Sequence, residues 1–379
     1  MTGPRRAPNE SIGFWTGTGR FDLRKGGLLR IGLHDGVRAA RTWFRARTVR
    51  GGLILLYHRV AVTPVDPWRL SVSPAHFAEH LQVLRCRGTL FNIRDLATAL
   101  QRRTTPRRFL AVTFDDGYDD NLRNAKPLLE RHDVPATVFV SSGLLGRENP
   151  FWWDELQELL LLPSSLPETL AVDTAAGRRE YRMGEDAASG GTAPESPGGW
   201  RASAGKAPTK RHAAYVAIHA LLSALGPSEC ESGMSQLRSQ IRRPGGDPGQ
   251  KESGRPLSPE EAVELARGGL VEIGAHGQTH ARLARLPEEE QRREIAGSRR
   301  HLEGLLGTRV TSFAYPFGGK QDFTSKTASI VQEEGFSVAC AATRGLVREG
   351  VDIWRLPRFH VEDSDGDQLD RRISQWLAA

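Results

Sequence analysis

From residue 51 onward the chain alternates short apolar runs with longer amphipathic stretches. Residues 53–57, 109–114, 136–140, 270–273, 310–315, 336–341 and 353–356 are the apolar runs. Each is of strand length and lacks a strict polar alternation, as strands buried on both faces do. Between them, Pro74–Arg87 sets Phe77, Leu81 and Leu84 on one helical face. Residues 121–132 read as a helix with Pro127 as a break point. Ser258-Pro259-Glu260-Glu261 combines a cap residue, a proline at the first helical position and a glutamate at the third. A long helix over 288–306 is closed by Gly307. Apolar strands alternating with helices predict an α/β fold, a parallel sheet or barrel with helices outside.

The alternation breaks after residue 150. Phe151-Trp152-Trp153-Asp154 opens an apolar helix to about Leu162. Residues 163–210 turn to Gly, Ser, Ala and Pro, and 184–207 hold too little apolar surface to order themselves. A helix over 212–225 and a second soft loop over 243–255 follow. Residues 151–256 therefore read as an insertion with a few helices, partly disordered, and not as a second catalytic domain.

With 379 residues, 39% of them hydrophobic, the chain can bury a full core. No run of 18 apolar residues is present, so no membrane-spanning helix is expected. The net charge of +7 sits at the start: residues 1–50 hold 11 Lys and Arg against 3 Asp and Glu, leaving −1 for the remainder. In that basic segment Leu29, Leu33, Val37, Ala40 and Phe44 recur at near-helical spacing, accompanied by Arg30, Arg38, Arg41 and Arg45. Two readings stand: an amphipathic helix on an anionic membrane surface, or a helix packed on the body with a solvated basic face. No recognition motif accompanies the charge, so nucleic acid is not an expected partner. The first residues lack an apolar core and a small-residue cleavage site, so no secretory signal is expected. Cys86, Cys230 and Cys340 are odd in number and far apart, which suits a reducing compartment. The expectation is a cytoplasmic protein, with residues 1–50 available for peripheral contact with the inner membrane surface.

Two apolar runs end in chemistry. Thr113-Phe114-Asp115-Asp116-Gly117-Tyr118 places adjacent carboxylates after one strand, and His276-Gly277-Gln278-Thr279-His280 places two imidazoles after another. One Asp and two His form a three-ligand set that leaves metal positions open, as metal-assisted hydrolysis requires. A metal on Asp116 would leave Asp115 ionised and able to take a proton from water. Alone, the Asp pair is equally a solvated turn before Gly117, and the two histidines could sit on one face of a helix or around a turn. Together, each at the C-terminal end of a predicted strand, they mark the place where α/β barrels carry their sites.

These segments resemble the polysaccharide deacetylases, carbohydrate esterase family 4, also called the NodB-homology family. The resemblance covers about 53–150 and 258–362 and implies a distorted (β/α) barrel. It implies that Asp115 is the catalytic base and that Asp116, His276 and His280 hold one divalent ion, zinc first, with cobalt, nickel or iron also compatible. The family usually has Ser or Thr where Gly277 stands. Phe313-Ala314-Tyr315-Pro316-Phe317-Gly318 is similar to its third motif, with Ala314 in place of the Arg that orients the base. By the same resemblance the main-chain N–H of Phe317 helps hold an oxyanion. Leu55-Leu56-Tyr57-His58-Arg59-Val60 is similar to the circularly permuted poly-N-acetylglucosamine deacetylase branch and makes His58 the general acid, with His360 as runner-up.

Trp152, Trp153 and Asp154 either line a sugar site or pack a helix on the barrel. His76, His80, His132 and His301 read as ordinary surface or core residues. The function implied is metal-dependent removal of N-acetyl groups from an N-acetylhexosamine unit of a glycan, with a lipid- or nucleotide-linked precursor as one substrate form. An O-acetyl esterase, a non-sugar amide hydrolase and a metal-binding protein that holds sugar without catalysis are the alternatives.

Overall fold

The computed structural model describes residues 51–188, 200–241 and 254–378. The basic N-terminal segment, with its expected helix, lies outside them, as do residues 189–199 and 243–253 of the two soft stretches. In chain order the strands are β1 (Gly51–Tyr57), β2 (Arg59–Val60), β3 (Ser71–Val72), β4 (Thr89–Phe91), β5 (Arg108–Phe114), β6 (Ala136–Val140), β7 (Thr169–Thr174), β8 (Gly177–Arg182), β9 (Val271–Ala275), β10 (Ser312–Ala314), β11 (Val338–Cys340) and β12 (Phe359–His360).

Eight of them form one parallel sheet in the order β11-β10-β9-β6-β5-β1-β12, with β4 on β5. β1 pairs with β5 along its whole length, from Gly51 opposite Arg108 to Tyr57 opposite Phe114. The other edge of β5 is shared: β4 lies beside Phe109–Ala111 and β6 beside Val112–Phe114. The sheet curls into a half-barrel, and one segment spans its gap. Leu356 pairs with Cys340 at the β11 edge, and three residues later Phe359 pairs with Leu55 of β1.

Both faces of the sheet are buried, which explains the continuous apolar runs. Leu53, Leu55, Leu110, Val112, Val138 and Ile273 face the outer helices, among them Pro74–Arg87 and Glu288–Leu306, in one cluster. Ile54, Phe109, Ala111, Phe139, Ala314 and Cys340 face inward in another. The lumen is narrow: a Cβ on Gly274 would stand 2.5 Å from the Phe139 ring, so that position admits glycine alone. At its floor, buried Glu272 accepts from the Arg94 N–H and the hydroxyls of Thr137 and Ser312, tying β6, β9 and β10 together.

The sequence-derived helix 121–132 is realised as a π-helical turn Asn121–Ala125 followed by Lys126–His132, with the division near Pro127. Two expectations change. Residues 353–356 form a 3-10 turn, Ile353–Arg355, because the Asp352 side chain accepts from the Trp354 N–H; the strand lies later, at β12. Pro357, which has no N–H to donate to a ladder, separates the two. Residues 163–210 hold an antiparallel hairpin, β7–β8, where only soft chain was expected. Leu170 and Val172 of β7 enter a core of the insertion's own, with Leu156, Tyr215, Met234 and Leu237. The Pro227–Gln240 helix backs that hairpin, Gln240 bonding both main-chain groups of Ala171. Among the described residues no helix is long and apolar enough to cross a membrane.

Candidate metal and catalytic site

The period of two along a strand selects the residues that enter the lumen. On β5, Phe109 and Ala111 point inward, and the same parity carries Thr113 and Asp115. On β9, Glu272 and Gly274 lead to His276; on β1, Ile54 leads through Leu56 to His58. The sheet thus delivers Asp115, His276 and His58 to one end of the half-barrel, at the C-terminal ends of its strands.

Asp116 breaks the strand geometry. Its φ of +75° is left-handed, as are those of His280 (+59°) and Phe317 (+61°). Side-chain-bearing residues in this region are strained and persist where the surroundings over-determine them. These three converge. His280 Nε2 lies 3.2 Å and His276 Nε2 3.5 Å from Asp116 Oδ1. One ligand atom from each falls within 4.8 Å of the others. Asp116 Oδ1 is buried and makes no hydrogen bond. His276 Nδ1 lies 2.8 Å from the Ala314 carbonyl, so the proton sits on Nδ1 and the Nε2 lone pair faces Asp116. A buried carboxylate oxygen without a partner, opposite two imidazole nitrogens of which one is fixed as acceptor, fits a divalent ion with two neutral histidine ligands. Burial opposes the charge of Asp116, and positive charge facing it, on the His280 and His276 rings or on an ion in their place, would hold its carboxyl well below the usual range.

Asp115 is held differently. Arg358, fully buried, donates from Nη1 to Oδ1 at 2.6 Å and from Nη2 to Oδ2 at 2.7 Å. Its Nε donates to the Ala341 carbonyl at 3.0 Å. Burial raises the Asp115 pKa, and Arg358, joined by His276 and His58, more than reverses this, so the carboxylate stays ionised. Arg358 therefore brings to Asp115 the guanidinium that the family resemblance expects at Ala314, and the Ala314 carbonyl meets His276 instead. Sequence reading missed Arg358. It lies on the segment bridging β11 to β1, two residues before His360 and on the same side of the chain.

The loop after Gly277 is held by a carboxylate. Glu294 Oε2 accepts from the N–H groups of Gln278 and Thr279, and Oε1 from the Thr279 hydroxyl. A carboxylate from the Glu288–Leu306 helix thus ties the loop that an absent hydroxyl at Gly277 would have held. Gly277 has φ +73°, and a Cβ there would meet Glu294 Oε2 at 3.2 Å.

His58 and His360 stand side by side, rings 5.5 Å apart at 80°, because Leu56 and His360 are register partners. Burial lowers the pKa of both, that of His360 to about 3. Among charges, His58 responds first to Asp116 and Asp115, whereas His360 responds first to His58 and Glu362. His58 therefore lies nearer the carboxylate pair than His360 does.

The Phe317 ring packs on His280 at 4.7 Å, and the Arg282 guanidinium covers its other side at 3.7 Å. Arg282 also pairs with Asp322 and donates to the Ser223 carbonyl of the insertion, while Asp322 accepts from the Gly319 N–H. The turn carrying the Phe317 N–H is thereby fixed from both sides. The three aromatic-helix residues divide their roles. Trp153 packs on His280 at 4.8 Å, and its Nε1 donates to Tyr118 Oη. Tyr118 in turn donates to Asp154. Burial raises the Asp154 pKa to about 7 despite Arg59 nearby. Trp152 alone faces a cavity of about 440 Å³ that runs from His280 and Phe317 to Leu222 and Leu225 of the insertion. His80 is buried between Tyr57 Oη and the Ser364 carbonyl, and His76 pairs with Asp363.

The sequence pattern of the polysaccharide deacetylase family matches residues 102–161 and 237–339. Both aspartates and both histidines of the cluster fall inside these stretches; residues 162–236 fall between them. A Bacillus subtilis protein named in the polysaccharide deacetylase family is 27% identical over 108 residues, 28% of this chain and 37% of that protein. The poly-beta-1,6-N-acetyl-D-glucosamine N-deacetylase of Staphylococcus aureus is 29% identical over 80 residues, 21% of this chain and 28% of that enzyme. The chain thus matches about a third of the length of these curated relatives. The fold is that of the Streptococcus pyogenes deacetylase PplD in complex with acetate (TM-score 0.52, 16% identity, 86% of this chain and 99% of that one). It is also that of IcaB from Ammonifex degensii (TM-score 0.51, 20% identity, 87% and 98%).

Proposed function

Because the chain belongs to the polysaccharide deacetylase family, we propose that it is a metal-dependent hydrolase removing N-acetyl groups from an N-acetylhexosamine-containing glycan. The observation that carries this reading is the divided carboxylate pair. Asp115 is claimed by a buried guanidinium, and Asp116 faces two imidazoles with an unpartnered oxygen. The name of the Staphylococcus aureus relative, an N-deacetylase, favours an amide over an ester.

A divalent ion on Asp116, His276 and His280, zinc or another borderline metal, would supply Lewis acidity toward a water and the acetyl carbonyl. Asp115, kept unprotonated by Arg358, accepts the proton of the attacking water. Arg358 holds both carboxylate oxygens, so the base cannot rotate away from its target. The main-chain N–H of Phe317 donates to the oxygen that becomes negative in the tetrahedral intermediate; a main-chain donor needs no particular side chain. His58 gives a proton to the departing nitrogen. Burial makes its imidazolium a strong acid, while the two aspartates favour the protonated form. The C–N bond breaks, and the products are acetate and a free amino sugar.

The test is acetate release from N-acetylglucosamine oligomers with added zinc or cobalt, wild type beside Asp116→Ala. Release that needs both the metal and Asp116 is expected. Release that survives Asp116→Ala, or activity on O-acetyl esters alone, would overturn the reading.

A further inference from the structure

The cavity beside His280 has two walls of different origin. Thr279, His280, Arg282 and Phe317 belong to the barrel. Leu222, Ser223, Leu225, Cys230 and Glu231 belong to the insertion, within the stretch that the family pattern leaves unmatched. The insertion's apolar core, against which Val65 and Trp68 of the β2–β3 connection also pack, holds that wall in place.

The lining mixes apolar surface with matched charge. Phe151 and Trp152 supply aromatic surface, Trp152 half-buried and facing the space. Three guanidiniums reach the lining, and each has a carboxylate: Arg238 holds Glu155 at 2.7 Å and Glu231 at 2.8 Å, Arg147 approaches Glu231 at 4.0 Å, and Arg282 pairs with Asp322. With Glu148 also on the lining, three arginines meet three glutamates. Two helices begin at the cavity, Trp152–Leu161 and Pro227–Gln240, and both carry acid in the first turn, Glu155 and Glu229. The positive ends that would attract a phosphate are therefore already answered.

We propose that this cavity is a second sugar subsite which the insertion adds to the metal site, built for a neutral pyranose ring joined to the residue being deacetylated. The inference rests on the deacetylase reading. Trp152 offers a flat face for the apolar side of a ring, and the Arg–Glu pairs offer donors and acceptors to its hydroxyls. A volume of about 440 Å³ is in the range of small-ligand pockets. It suits a short length of glycan, and the carboxylates among its arginines disfavour a pyrophosphate.

The experiment compares kcat/KM for acetate release from N-acetylglucosamine, its dimer and trimer, and UDP-N-acetylglucosamine, using zinc-loaded full-length protein. Ser223→Trp fills the cavity while keeping the carbonyl that Arg282 uses, and Trp152→Ala removes the stacking face. The dimer should exceed the monomer by about tenfold or more, the worth of one stacked ring. Both variants should lose that advantage and keep the monomer rate and zinc affinity. A dimer no better than the monomer, an advantage that survives both variants, or a preference for the UDP-linked sugar would overturn the subsite and leave the deacetylase reading standing. If no sugar releases acetate, that reading fails instead, and calorimetric binding decides the subsite. Dimer binding lost in Ser223→Trp supports it, and no dimer binding to wild type overturns it.

Discussion

Arg358→Met should damage the protein twice, and the two effects are separable. The Arg358 side chain is fully buried, and it makes a two-point contact with Asp115 at 2.6 and 2.7 Å plus a bond to the Ala341 carbonyl. Methionine fills similar volume and removes the charge. What remains is a buried carboxylate without its partner and a carbonyl without its donor. Breaking one side of a buried ion pair costs about 3–5 kcal/mol, and partial protonation of Asp115 limits the loss. We therefore expect denaturant unfolding at neutral pH to show a stability loss of about 3 kcal/mol or more. Adding Asp115→Asn to Arg358→Met should restore a large part of it, because the orphaned charge is then gone. The catalytic loss should not recover in that double variant, since the base has been removed. Zinc affinity should change little in Arg358→Met, because Arg358 touches none of the three ligands. A loss below about 1 kcal/mol, or a double variant no more stable than Arg358→Met alone, would refute the claim that this pair is buried, coupled and holds the base.

Two further outcomes follow from groups that neither bind metal nor move protons in the reaction. Glu294→Ala removes all three bonds that fix Gln278 and Thr279; zinc affinity should fall by about 10–100-fold, read by competition with a chromogenic chelator, and an unchanged affinity would show that the His276–His280 loop holds itself. His80 is fully buried with its pKa lowered from 6.5 to about 4 by burial. Its folded value lies below the unfolded one, so its contribution is complete above pH 6.5 and is lost as pH falls toward 4, up to about 3 kcal/mol. His80→Gln should flatten the stability profile in that window, and an unaltered profile would count against the assignment.

How much of this was legible depends on whether a residue's role is local or assembled. Six of the seven apolar runs, the Pro74–Arg87 and Glu288–Leu306 helices and the Ser258 capping box are local events, written in periodicity and cap chemistry, and they appear where the sequence places them. The convergence of Asp116, His276 and His280 was legible for the same reason: each follows a strand that parallel topology brings to one end. The β7–β8 hairpin was not, because only Leu170 and Val172 mark its buried face and β8 is mostly exposed and charged, with Arg178, Arg179, Glu180 and Arg182. Arg358 and Glu294 were invisible for a different reason. Each acts across a sequence gap, 243 residues from Arg358 to Asp115 and 15 or 16 from Glu294 to its loop. Nothing in their neighbours sets them apart from solvated charges. The signal available was indirect. A base that needs an orienting cation, and a motif with alanine where that cation belongs, together require an arginine from elsewhere. Among strand-end segments, 355–360 held two, and only Arg358 shares the side of the chain that His360 presents to His58. The bridging of β11 to β1 turns that parity into a contact, so closing the half-barrel and orienting the base are one structural event. A variant that weakens the bridge should therefore loosen the base even with Arg358 intact.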